Sequence, residues 1–139
     1  MTGALRVVLA VLLTAALLGT GLPAAERAGE TRTATRLDGT AARLATAAAR
    51  LAARNDPTRS GAARRTIRLR VPPDGRLRIG HDTLAWRVDD GAWHRQRPSP
   101  DLVAEHGRLT LAPGHHRLRL SLRLRYGTAV VGVTPLPGD

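Results

Sequence analysis

The sequence predicts an α+β protein, in which an N-terminal membrane helix continues into an amphipathic helix and a small antiparallel β-sandwich follows. Three observations predict it: an uncharged run from Val7 to Ala25, an Ala/Leu period of seven between Ala34 and Leu51, and an apolar period of two from Thr66 onward. The corresponding organisation is 1–25 membrane or signal segment, 26–56 helical stalk, 57–65 linker, 66–135 β domain and 136–139 tail.

Composition narrows the function classes. The chain has 139 residues, enough for one modest domain and an appendage. It has no Cys, which excludes disulfide scaffolds, thiol chemistry and Cys-ligated zinc. Trp86, Trp93 and Tyr126 are its only aromatic residues, too few for a stacking platform on single-stranded nucleic acid. All 22 of its cations are arginine, against 11 acids, for a net charge of +11. GC-rich codon usage explains arginine in place of lysine, but not the excess of base over acid, because such codons also encode Asp and Glu. The charge therefore needs a reading of its own.

The first element follows from the 19 uncharged residues between Arg6 and Glu26. That length fits a short membrane span or a long signal-peptide core. An uncleaved single-pass anchor is the leading expectation, with the C-terminal domain exported; a cleaved signal ending after Ala24 is the alternative. The second element follows from Ala34, Leu37, Ala41, Leu44, Ala48 and Leu51, which place Ala at heptad position a and Leu at d. Arg36, Arg43 and Arg50 flank this seam. Gly29, Gly39 and five threonines weaken the helix, so it needs a partner helix or its own β domain to pack on. Asn55-Asp56-Pro57 ends it.

The β domain reads as seven short strands separated by turn signals. Ile67, Leu69 and Val71 alternate with polar residues up to Pro72-Pro73-Asp74-Gly75; Leu77 and Ile79 form the second strand. Leu84, Trp86 and Val88 form the third, closed by Asp89-Asp90-Gly91, and Trp93 starts the fourth. Leu109 and Leu111 mark the fifth, His116 to Tyr126 the sixth, and Ala129 to Val133 the last. No helix separates the strands, which argues against a parallel α/β sheet.

The segments LAWRVDDGAWHRQRP and RLTLAPGHHRLRLSL resemble a strand-turn-strand pattern of prokaryotic immunoglobulin-like sandwich domains, which implies an Ig-like fold. The apolar segment with its Pro23-Ala24 exit, ARLAARNDP, ARRTIRLRVP, Arg78-Ile79-Gly80 and HRLRLSLRL resemble a family of small uncharacterised proteins of halophilic archaea. That resemblance implies an envelope role beside type IV pilus-like or secretion components. The order of elements is similar to pilins and pseudopilins, although Arg6 abuts the apolar run and no glutamate lies within it.

Arg68, Arg70, Arg76, Arg78, Arg117, Arg119, Arg123 and Arg125 occupy the polar phase of the predicted strands. On one sheet they would build a cationic wall able to dock an acidic partner, a glycan or anionic lipid. Neither a nucleic-acid-binding motif nor a small-molecule substrate site is evident. His81, His94, His106, His115 and His116 lack metal-ligand spacing. Ser60, Ser99 and Ser121 lack a nucleophile elbow, and Asp89-Asp90 reads as a hairpin turn. The sequence therefore predicts no catalytic site, cofactor or metal. Its expected role is that of a membrane-anchored accessory protein acting through protein contacts. The alternatives are a secreted module for acidic ligands and a cytoplasm-facing protein binding nucleic acid or anionic lipid.

Overall fold

Alanine-rich sequence with no proline after Pro23 lets one helix, α1, run from Thr2 to Arg54, through Pro23. In this computed structural model residues 2–138 are described, without the side chains of residues 2, 5, 9 and 12–22. The chain divides into two units, Met1–Arg32 and Thr33–Asp139, so the boundary falls inside α1 and not at the predicted linker. In the first unit Val7, Val8 and Val11 are exposed. Among the described residues no helix is long and apolar enough to cross a membrane. The predicted anchor lies largely on residues 12–22, whose side chains are outside the description.

In the second unit the C-terminal part of α1 joins eight strands: β1 (Arg64–Val71), β2 (Gly75–Ile79), β3 (Leu84–Val88), β4 (His94–Gln96), β5 (Asp101–Ala104), β6 (Leu109–Leu111), β7 (Gly114–Arg125) and β8 (Thr128–Leu136). They form two four-stranded sheets, β1-β7-β8-β5 and β4-β3-β2-β6, in a sandwich-like α+β arrangement. One strand, β5, is additional to the predicted set. It pairs with β8 in parallel, the sole parallel pair among the described strands.

The Ala/Leu seam is the packing face of α1. Leu37, Ala41, Leu44, Ala48 and Leu51 are buried in the same core as Leu69, Leu77, Leu118, Leu120 and Val131, with Ala34 packed at its edge. Burying one Leu side chain is worth about 1.5–3 kcal/mol, which outweighs the helix penalty of Gly39 and the threonines. Of the two expected partners for the seam, another helix or the protein's own β domain, it is the β domain that covers its leucines. The helix runs beside β1, the edge strand of its sheet, where Thr40 Oγ1 donates to the Arg70 carbonyl at 3.2 Å. Asn55 Nδ2 donates to the Leu51 carbonyl at 3.0 Å and caps the helix end.

Residues 57–63 are structured as well. Leu124 N–H donates to the Thr58 carbonyl at 3.0 Å and Leu122 N–H to the Ala63 carbonyl at 2.9 Å, tying this segment to the β7 edge beyond the end of β1, with Gly61 against the Ser121 and Arg123 side chains. Ser121 is buried there despite its place in the polar phase of the strand. What reads in the sequence as a linker is a cover.

Candidate functional site: two arginine clusters

The eight predicted docking arginines do not form one wall. Strands β1 and β2, joined by Pro72-Pro73-Asp74-Gly75, lie in different sheets, so this turn is a corner and not a hairpin. Arg68, Arg70, Arg117 and Arg119 stay together on the β1–β7 ladder, with Arg68 opposite Arg117 and Arg119 opposite Thr66. Arg76 and Arg78 belong to the other sheet. Arg123 lies under the 57–63 cover and pairs with Glu105, its Nη2 2.5 Å from Oε1. Arg125 sits at the β7–β8 tip, its Cζ 5.8 Å from the Tyr126 ring.

The first cluster is a groove between α1 and β1. Its volume is about 830 Å³, and Arg43 and Arg50 of α1 face Arg65 and Arg68 of β1, with Arg117 of β7 alongside. Thr46, Thr66 and Ile67 also line it, and among the described residues no carboxylate does. The heptad arginines and the strand arginines thus meet: period seven brings Arg43 and Arg50 to one helix flank, and the groove wraps the edge strand β1, taking Arg65 from one of its faces and Arg68 from the other. The sequence shows each period, but not that the helix lies along this strand.

The second cluster occupies the outer face of the β4-β3-β2-β6 sheet. Arg76 stands directly opposite Arg87, and Arg78 opposite Ala85, which in turn stands opposite Arg95. Like charges facing each other across a ladder oppose folding, so this face carries a cost. Trp93 relieves part of it: the Arg78 Cζ lies 3.8 Å and the Arg87 Cζ 4.7 Å from the Trp93 ring centroid. The pKa of Arg78 is pushed below the ordinary arginine value, chiefly by desolvation and then by Arg108, Arg87 and Arg95. The nearby carboxylate of Asp82 is engaged by Arg97 and accepts from Thr83 Oγ1 at 3.0 Å. Arg87, Arg95, Arg108 and Trp93 were not among the predicted site residues. The signal that could have found them is the shared strand phase of Trp93 and Arg95, two residues apart.

The histidines are dispersed. His94 stacks on Trp86 with ring centroids 4.2 Å apart, and His116 Nε2 lies 2.6 Å from the Ala112 carbonyl. Among the described residues no group of His, Asp or Glu is arranged to hold a metal ion.

No curated protein and no solved structure shows significant similarity to the chain. One family profile, described only as a domain of unknown function, matches residues 4–136. The match covers nearly the whole chain, helix and sandwich alike, and the protein belongs to this family, DUF7311.

Proposed function

We propose that this protein is a non-enzymatic accessory protein, held at a cell membrane with its β domain on the outer side, that docks an acidic segment of a partner in an envelope assembly. The observation that carries the reading is the α1–β1 groove: Arg43 and Arg50 of α1 and Arg65 and Arg68 of β1, with no carboxylate among the described residues of the lining. An acidic chain entering it replaces repulsion by charge-assisted bonds, and the guanidinium fork matches carboxylates in pairs. The uncharged run Val7–Ala25 supports the membrane location, as does the exposure of Val7, Val8 and Val11. The pilin-like order of segments supports a pilus-like or secretion assembly. With the Ala/Leu seam buried, the groove takes over the role of contact surface.

The test uses the full chain in detergent micelles and a labelled oligo-glutamate peptide. Combining Arg43→Gln, Arg50→Gln, Arg65→Gln and Arg68→Gln should weaken binding about tenfold or more at moderate salt. Unchanged affinity would remove the groove from the function. Protease treatment of intact cells checks the orientation, since a protected β domain contradicts export. A native N-terminus near Ala25, read by mass spectrometry, would make the protein a secreted module instead.

A further inference from the structure

The second arginine cluster is separate from the groove, and its geometry points to a different ligand. The β-ladder places Arg78, Ala85 and Arg95 in one row across three strands, with Ala85 between the two arginines. A methyl group between two long cationic side chains leaves a depression. That depression has a volume of about 230 Å³ and is lined by Arg78, Arg95 and Arg108, with His81 and Thr83 at its rim. Asp82, beside the lining residue Thr83, is tied to Arg97 and does not line it. Trp93 stacks on the Arg78 guanidinium and fixes its plane before any ligand arrives.

We propose that this depression binds a tetrahedral oxyanion monoester, a phosphate or sulfate group carried on a larger molecule. Three guanidinium groups surround one small space, and a single carboxylate offers them one negative charge. A phosphate monoester offers close to two charges and a sulfate monoester one, and both offer three unesterified oxygens, so that each fork finds an acceptor. The space also exceeds the need of the bare anion. A five-atom oxyanion fills roughly two or three times the ~30 Å³ share of one water, which leaves room for the carrier. Desolvation first, and then repulsion from Arg108, Arg87 and Arg95, depress the Arg78 pKa, and an anion bound here relieves the repulsion.

Calorimetric titration of the full chain with inorganic phosphate and with inorganic sulfate tests this, with acetate and chloride as competitors at matched ionic strength. The expected result is saturable binding of phosphate or sulfate that acetate and chloride displace at least about tenfold less well. Arg78→Gln and the exposed Arg95→Gln should each weaken it about tenfold, one charge-assisted contact being lost. Arg43→Gln with Arg50→Gln should leave it unchanged, so failure here and failure of the groove are separable. Tighter phosphate binding assigns a phosphate ester; tighter sulfate binding assigns a sulfate ester. No saturable binding, equal displacement by chloride, or binding unaltered in both arginine variants overturns the proposal.

Discussion

Leu37 of α1 occupies the space that a side chain at Gly75 would need. A Cβ built on Gly75 would lie 3.0 Å from Leu37 Cδ2 and 3.1 Å from the Pro72 carbonyl oxygen. The helix and the corner between the two sheets are fitted to each other at this point, and Leu37 is fully buried, with little room to yield. Gly75→Ala should therefore destabilise the protein by about 1–2 kcal/mol through overpacking, although alanine is the better residue for the unfolded chain. Urea denaturation followed by Trp86 and Trp93 fluorescence reads this directly, because both tryptophans lie in the β domain. A stability gain would show that α1 is not seated on the corner.

Leu44 tests the seam itself. It is fully buried, and Leu44→Ala should cost about 2–5 kcal/mol. Leu124, at 37% exposed, should give a Leu124→Ala loss well below that. The midpoint of unfolding should also be independent of protein concentration, since the seam packs within one chain. A midpoint that rises with concentration would return the seam to intermolecular contact.

Glu105 holds Arg123 in place across the β8 surface, where a Cβ on Gly132 would lie 3.2 Å from Glu105 Oε1. The pair is partly exposed, at 43% for Arg123 and 21% for Glu105, so solvent screening keeps its contribution modest. Glu105→Gln should lower stability by about 0.5–1 kcal/mol in low salt and by less as salt is added. A thermal melt at two ionic strengths checks both the size and the trend.

Tyr126 and Gly127 form the β7–β8 turn with φ of 52° and 75°, a pair of left-handed residues between Arg125 and Thr128. This is the pattern that Asn-Gly satisfies with least strain. Tyr126 is 96% exposed, so its ring gains no packing in exchange. Tyr126→Asn should raise stability by about 0.5–1 kcal/mol and the melting temperature by a few degrees. A lower melting temperature would mean that the ring makes contacts elsewhere on the protein.

The strands with clean alternation were legible in the sequence, because period two is a direct consequence of side chains pointing to opposite faces. Strand β5 was not: Asp101-Leu102-Val103-Ala104 is short and follows Pro98-Ser99-Pro100, and it buries both Leu102 and Ala104 against a partner that starts at Thr128. The seam of α1 was legible as a face but not as a contact, since periodicity says which side is buried and not against what. The arginines were legible in phase but not in sheet, because the sequence around Pro72-Pro73-Asp74-Gly75 does not distinguish a hairpin from a corner. Arg123 shows the same limit, with its polar phase overridden by the 57–63 cover.

Strand β8 stands between β7, which it pairs in antiparallel fashion, and β5, which it pairs in parallel. It is also the last of the eight strands in chain order. During synthesis β5 therefore has no ladder to join, and β7 has only β1, until β8 has emerged. The exposed edges of a half-built sheet are sticky, so this stretch of translation is when the chain most needs shielding from its neighbours.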